Sequence, residues 1–300
     1  MSADTAAVAE VDDGTASVEA GLDALESAGD RTGGPHRRLL GSLLPPVVAV
    51  MGLLVLWQAL YSARIWPDWK LPGPAQVLSS VRASISAGDV WPAVVHSVGH
   101  AAMGFGASLV VGTPLGLLVG WTRPAGASGN PVRAALGPIL SGLQSLPSVA
   151  WVPPALMFFG PTPGMLYAVV LMGAVPSIAV GMVSGLDQVP ALYLQVGRNL
   201  RARGLASARF VLLPAALPGY VAGLRQGWAF AWRSLLASEI IVQSAALGHS
   251  LGFLLKNAQD ANDMAGAFAA IVLILAVGVL VNQAVFAPLE RHVLRSRGLL

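Results

Sequence analysis

The sequence predicts an all-α integral membrane protein with six transmembrane helices. Of its 300 residues, 55% are hydrophobic and only 11% are charged, whereas a soluble globular chain carries about 25% charged residues. The apolar residues occur in blocks of roughly 20, the length of helix that crosses a hydrocarbon core of about 30 Å. Because these blocks lack the alternation of barrel strands, helices are expected to satisfy the backbone hydrogen bonds in lipid.

Six apolar blocks lie between two polar termini. Residues 1–36 are expected to form a disordered acidic cytoplasmic tail, because the first 30 residues hold eight acids, no base and no aromatic residue. Such a segment buries too little apolar surface to offset its ordering entropy. Residues 286–300 are predicted to form a basic cytoplasmic tail. The blocks run over about 39–62, 92–121, 136–159, 165–186, 219–242 and 265–289.

The distribution of Lys and Arg predicts the orientation of the chain. With six spans both termini lie on one side of the membrane, and that side holds twelve Arg against four Lys or Arg on the other. Since cytoplasmic loops carry an excess of positive charge, both termini are predicted to be cytoplasmic.

The segment after the first block is predicted to contain a short amphipathic helix on the outer surface. Pro74, Leu78, Val81 and Ile85 recur there at helical spacing, a pattern typical of helices that lie in the membrane interface. The alternative is a simple connector.

The second block predicts close packing between helices. Its glycines are four or eight residues apart, and small residues at this spacing let two backbones approach each other. They are Gly104, Gly112, Gly116 and Gly120.

The loop between the fourth and fifth blocks predicts a helix–turn–helix. Leu192, Val196 and Leu200 form one apolar stripe, and Gly204 is expected to end that helix in a left-handed cap. The roughly thirty residues of this loop include four arginines. Either a docking element for a soluble partner or a hairpin resting on anionic lipid fits these residues.

The exit of this loop resembles a known motif. Val211, Leu213 and Pro214 match the end of the inner loop in permease subunits of binding-protein-dependent, ATP-driven (ABC) importers. An ungapped alignment then puts Gln195-Val196-Gly197 at the family's Glu-Ala-Ala, and Arg201 at its glycine. The amide and the arginine depart from the family pattern.

The resemblance covers residues 40 to 295 and extends to one branch of these permeases. Leu71-Pro72-Gly73-Pro74, Ser145-Leu146-Pro147-Ser148, the pair Pro153-Pro154 and the stretch 232–239 are similar to the nitrate, sulfonate and taurine branch. The resemblance implies the type 1 transmembrane domain of ABC importers over residues 93–285. Residues 37–92 are then the first transmembrane helix with the outer amphipathic segment.

The resemblance also implies a function and partners. The chain is expected to be the permease subunit of a bacterial plasma (inner) membrane importer for aliphatic sulfonates or related small anions such as nitrate and taurine. Expected partners are a dimer of ATP-binding subunits, a second permease copy, an extracytoplasmic substrate-binding protein and membrane lipid, without nucleic acid. No cofactor, metal or catalytic residue is expected, and no Gly-Lys-Ser or Gly-Lys-Thr phosphate loop occurs.

In this family the inner loop docks on the ATP-binding subunit. The apolar stripe would fill a groove on that subunit, and the arginines would supply charge pairs. The expected coupling residues are Leu192, Gln195, Val196, Gly197, Arg198, Leu200, Arg201, Arg203 and Gly204.

Charged and polar residues within the blocks are candidates for the translocation pathway. Arg233 and Glu239 are six residues apart and point away from each other on a helix. Arg233 either lines the pathway and favours anions or clamps two helices or subunits, whereas Arg225 is expected to be structural. The full set of pathway candidates is Ser145, Ser148, Trp151, Trp228, Trp232, Arg233 and Glu239.

Each remaining candidate has a structural alternative. The broken third block would line a cavity or merely kink a packed helix, and the two tryptophans would gate the pathway or pack in the interior.

A stand-alone secondary transporter or channel is the alternative function, although no clear repeat occurs. An intramembrane hydrolase would need a base, and His96 and His100 have no acid nearby in the sequence.

Overall fold

The computed structural model describes residues 35–121, 131–202, 204–244 and 247–297. Helices and short turns account for these ranges, which contain no β-strand, so the predicted all-α class is confirmed. The predicted acidic tail lies almost wholly outside them. The chain divides into two units, residues 1–65 and 66–300; in the first, helix α1 (Pro35–Ser62) exposes large apolar side chains from Leu44 to Leu56.

The second unit contains eleven helices in the described ranges. A 3₁₀ turn, Ser148–Trp151, lies between α4 and α5, and two π-helical turns, Ala208–Leu212 and Asn282–Phe286, precede α9 and α12. The helices are α2 (Pro74–Ala87), α3 (Val90–Trp121), α4 (Pro131–Ser145), α5 (Val152–Phe159), α6 (Pro163–Asp187), α7 (Ala191–Asn199), α8 (Leu205–Ser207), α9 (Leu213–Ile241), α10 (Leu251–Asp260), α11 (Met264–Val281) and α12 (Ala287–Arg295).

Three stretches of the described chain are long and apolar enough to cross a membrane. They are Val90–Gly120, Pro163–Asp187 and Met264–Arg295, and they correspond to the second, fourth and sixth predicted blocks. The third block is divided among α4, the 3₁₀ turn and α5, as its prolines suggest. Helix α9 has 29 residues but carries charged side chains. The count of six spans stays a prediction.

Helix α6 forms the centre of the second unit. Met165, Leu166, Val169, Val170 and Ile178 are fully buried. Helices α3 and α9 pack along α6, and their side chains complete the main apolar cluster.

Glycine residues let α3 approach α6 closely, as their spacing in the second block predicts. A Cβ on Gly116 would lie 2.6 Å from the carbonyl oxygen of Ala179, and one on Gly104 would lie 2.8 Å from Val170 Cγ1. Gly112 and Gly120 make equally close approaches to residues of α6. The prediction of close packing is therefore confirmed.

Helix α9 contacts α6 backbone to backbone, which the sequence analysis did not predict. A Cβ on Gly181 would lie 2.4 Å from the Cα atom of Gly223, and one on Gly219 would lie 2.6 Å from the Cα atom of Gly185. No side chain fits between the two helices at these points.

Helix α2 is the short amphipathic helix that the sequence predicts, but only part of the predicted stripe packs. Val77 is its buried residue, Pro74 and Val81 are half-buried, and Leu78 and Ile85 are exposed. The helix begins with the side chain of Gln76 accepting a hydrogen bond from the Gly73 N–H at 2.9 Å. Leu78 and Ile85 are therefore free to contact a surface outside the helix bundle, as in a helix that lies in the membrane interface.

The predicted helix–turn–helix is present, with a different capping residue. Arg201 takes the left-handed conformation that ends α7 (φ +61°), and the Ala202 N–H donates to the Gly197 carbonyl at 2.9 Å. Gly204 is also left-handed (φ +56°), but it lies just before α8. The expectation that Gly204 caps α7 is wrong, because the chain turns three residues earlier. Helix α8 then continues through the π turn into α9.

Substitutions at two glycines of α3 test the contact with α6. Gly116→Ala is expected to destabilise the protein by about 1–3 kcal/mol, because its Cβ would overlap the α6 backbone. Gly106→Ala, in the same helix, meets nothing within 4 Å and is expected to be neutral or slightly stabilising. Thermal unfolding of the detergent-solubilised variants measures both effects. Equal midpoints for the two variants would contradict the packing.

Candidate translocation groove and inner loop

A groove of about 860 Å³ runs between α9, α11 and the turn that precedes α12. Trp228, Trp232 and aliphatic side chains of α11 form most of its wall. Arg225, Arg233 and Glu290 are its charged residues. Its size is within the range of small-molecule sites.

Arg233 is exposed and lines this groove. Its Nε donates to the Ala229 carbonyl at 3.1 Å, and its guanidinium lies 4.6 Å from the ring centre of Phe230. In the described part of the chain, no carboxylate lies within salt-bridge distance of it. Five N–H donors on a guanidinium therefore leave most of its hydrogen-bonding capacity to whatever occupies the groove.

Arg225, in contrast, is paired. Its Nε donates to Asn282 Oδ1 at 2.9 Å and its NH1 to Glu290 Oε2 at 3.2 Å. These bonds link α9 to the π turn and to α12, which supports the structural role predicted for Arg225. The sequence analysis missed both partners, because nothing in their spacing relates them to Arg225.

The two tryptophans belong mainly to the core. Trp228 and Trp232 are stacked at 6.3 Å between ring centres, and Trp228 also contacts Phe105 and Phe286. Both are more than nine-tenths buried. Both also line the groove, but at this degree of burial packing accounts for most of their contacts.

Glu239 lies in a packed joint and not in the groove. It is 2% exposed and accepts hydrogen bonds from Ser97 Oγ at 2.9 Å and from the Gly252 N–H at 3.1 Å. Ser97 Oγ in turn accepts from the Leu251 N–H at 3.0 Å. The carboxylate thus holds the N-terminus of α10 against α3 and α9, where a helix favours negative charge. Sequence reasoning missed Ser97, which is 142 residues away.

The candidates in the broken third block also lie outside the groove. Ser145 Oγ donates to the Gly142 carbonyl at 2.7 Å, Ser148 begins the 3₁₀ turn, and Trp151 packs against the main core. The structure therefore brings Trp228, Trp232 and Arg233 together and leaves the other pathway candidates elsewhere.

The segment between α6 and α9, residues 188–212, is the inner loop of the sequence analysis, and it presents an apolar surface. Leu192 is 62% exposed and Leu200 is 77% exposed, and Val196 lies between them on α7, also exposed. Gln195 and Arg201 are exposed as well.

Gly197 differs from these residues because it is buried, with Val211 beside it. A Cβ on Gly197 would lie 3.0 Å from Val211 Cγ2, so Gly197 holds α7 to the π turn. The side chain of Arg198 and the whole of Arg203 lie outside the described residues.

An ion pair stands at the start of this loop. Arg133, in the first turn of α4, donates two hydrogen bonds to the carboxylate of Asp187, the last residue of α6, at 2.7 and 2.5 Å. The hydrogen bond to Asp187 raises the pKa of the Arg133 guanidinium. The pair fixes α4 to the end of α6 next to α7.

Comparisons with known proteins place the chain among membrane transport subunits. The family model described as "Binding-protein-dependent transport system inner membrane component" matches residues 112–295. The bicarbonate transport system permease protein CmpB of Synechococcus elongatus is 30% identical over 87% of this chain and 92% of its own length. The nitrate import permease protein NrtB of Synechocystis is 29% identical over 80% and 86%, and the taurine transport system permease protein TauC of Escherichia coli is 25% identical over 75% and 80%.

A solved structure has the same fold. An inward-facing form of the MetNI methionine ABC transporter contains a chain that matches 69% of this chain and 97% of its own length, with a TM-score of 0.60 and 21% identity. The family match spans more than half of the sequence, and the relatives align over most of it. This chain therefore belongs to the family of binding-protein-dependent transport system inner membrane components.

Proposed function

We propose that this importer permease carries a small oxyanion through the groove of Arg233, with ATP hydrolysed on a separate subunit. The observation that carries the proposal is the exposed guanidinium of Arg233, which has no carboxylate partner in the described residues. A charge in a membrane-embedded helix is costly and needs water, a partner protein or a ligand. Its planar donors match the geometry of oxyanions.

The substrate class is supported by the relatives. Proteins similar to this chain are named for transport of bicarbonate, nitrate, aliphatic sulfonates and taurine. Carboxylate, nitrate and sulfonate groups all present two or three oxygens to a guanidinium fork. The sequence analysis favours sulfonates, and the relatives add bicarbonate as a candidate of equal standing.

Partners follow from the surfaces that the chain exposes. The apolar face of α7 is proposed to dock on one of two ATP-binding subunits, with Gln195, Arg201 and Gly204 beside it and with charge pairs from Arg198 and Arg203. A second copy of the permease is proposed to cover the groove of Arg233 and shield it from lipid. An extracytoplasmic binding protein delivers the substrate.

The proposed topology has six spans in the bacterial inner membrane. They are α1, α3, the broken segment α4–α5, α6, α9 and α11–α12, with both termini in the cytoplasm. The number of spans is supported by the six apolar blocks, and the orientation by the twelve arginines assigned to the inner side.

Reconstituted transport tests the function directly. Proteoliposomes with this chain, its ATP-binding subunit and its binding protein are expected to accumulate bicarbonate, nitrate or taurine only when ATP is supplied. The measurement is uptake of each labelled anion with ATP or binding protein omitted in turn. Undiminished uptake without ATP would contradict the proposal and favour a stand-alone transporter.

Arg233→Gln tests the role of the guanidinium. Uptake is expected to fall at least about tenfold, because a hydrogen bond to a charged group contributes about 1.5–3 kcal/mol, while ATP hydrolysis and assembly persist. Arg291→Gln is the matched control, since Arg291 Nε donates to the carbonyl four residues earlier at 3.1 Å, as Arg233 Nε does. Uptake by Arg233→Gln equal to that of the control would rule out the pathway role.

Leu200→Asp tests docking of the inner loop. The side chain is 77% exposed, so folding is expected to persist while co-purification with the ATP-binding subunit is lost. Asn199→Asp is the control in the same turn, because it adds the same charge at an exposed position outside the proposed docking residues and leaves Leu200 in place. Unchanged co-purification of Leu200→Asp would show that α7 does not form the contact.

A further inference from the structure

A second cavity of about 220 Å³ lies between α4, α6 and α9. Five polar side chains line it, and all of them are uncharged amides or hydroxyls. They are Gln144, Ser177, Ser184, Gln188 and Gln226. Gly181, Gly219 and Gly223, where α6 and α9 touch, line it as well, so three of its wall positions carry no side chain.

The polar groups of this cavity are poorly satisfied by one another. Gln144 Nε2 lies 3.5 Å from Ser177 Oγ, and Gln188 Nε2 lies 3.4 Å from Ser184 Oγ; both distances exceed the usual 2.7–3.2 Å. Ser177 is only 2% exposed. The Gln226 side chain forms no hydrogen bond within the described ranges. Ser184, Gln188 and Gln226 are exposed and Gln144 is half-buried, so their amide and hydroxyl groups are accessible from the cavity and have capacity to bind a ligand.

The cavity adjoins the groove of Arg233. Ala222 and Gln226 line both spaces. Gln226 and Arg233 are seven residues apart, which puts them on the same face of α9, about 10 Å apart along the helix axis. Gln226 is nearer to the inner loop than Arg233, and Gln188 lies at the C-terminal end of α6, where that loop begins.

We propose that this amide-lined cavity is the second binding site for the oxyanion, between the groove of Arg233 and the inner loop. The inference rests on the proposed function and adds polar residues that the groove does not contain, since only Gln226 of the five lines both spaces. Amide N–H and hydroxyl groups donate to an anion without a fixed charge, so they hold it more weakly than a guanidinium does. Conduction needs binding that is favourable enough to admit a ligand and weak enough to release it.

Two substitutions of Gln144 and one control test the proposal in the reconstituted complex, because Gln144 lines the second cavity and not the groove. Gln144→Leu removes the amide at similar size, and its uptake is expected to fall about three- to tenfold. Gln144→Glu keeps the shape and adds negative charge, so its uptake is expected to fall at least about tenfold by repulsion of the anion. Gln283→Glu is the matched control, because Gln283 is exposed and lines neither space.

The readouts separate this inference from the proposed function. Labelled bicarbonate, nitrate and taurine are the probes, and binding-protein-stimulated ATP hydrolysis reports assembly of each variant. Loss of uptake in both Gln144 variants, with hydrolysis retained and Gln283→Glu unaffected, supports the second site. Uptake by Gln144→Glu at the level of Gln283→Glu overturns it while the importer stands. A wild-type complex that takes up none of the three anions with ATP would instead overturn the proposed function.

Discussion

The contact of α6 with its two neighbours is the constraint on which the rest of the structure depends. Glycines of α3 accept the side chains and backbone of α6 on one side, and Gly181 meets Gly223 of α9 on the other. Because two backbones that touch leave no room for a side chain, a Cβ at these positions would force the helices apart. The three helices therefore hold one fixed arrangement, with Arg225 and Arg233 of α9 in the groove, which α6 does not line.

Helix α9 packs against α6 with one face and lines the groove with another. Gly219, Gly223 and Gly227 recur every four residues and all lie against α6. Arg225 and Arg233 lie on the face toward the groove, and Gln226 lies where the groove and the second cavity adjoin. An apolar helix of ordinary composition could pack against α6 as well, but it would bring no charged or amide side chain to the groove. These polar side chains lower the hydropathy of α9.

The sequence was sufficient for features that local physics determines. Apolar blocks located α3, α6 and the run from α11 to α12, and the motif alignment put Arg201 at the family's glycine, where the structure has a left-handed residue. It was insufficient for contacts between distant segments. In the sequence Glu239 is an isolated intramembrane acid. Only the fold brings Ser97 and the start of α10 within hydrogen-bonding distance of its carboxylate. The Gln144 and Gln226 side chains carry no periodic signal, and only the crossing of α4, α6 and α9 makes them neighbours.

The continuity of α8 with α9 connects the inner loop mechanically to the groove of Arg233. Gly197 packs on Val211, so α7 is attached to the π turn at the start of the long helix. π turns occur often at functional sites because their widened hydrogen bonding makes them local adjustment points in a helix. The joint at Glu239 fixes the opposite end of α9 to α3 and α10. A displacement of α7 by a docked partner would therefore act on a helix held at its far end, and Gln226 and Arg233 lie between the two fixed points.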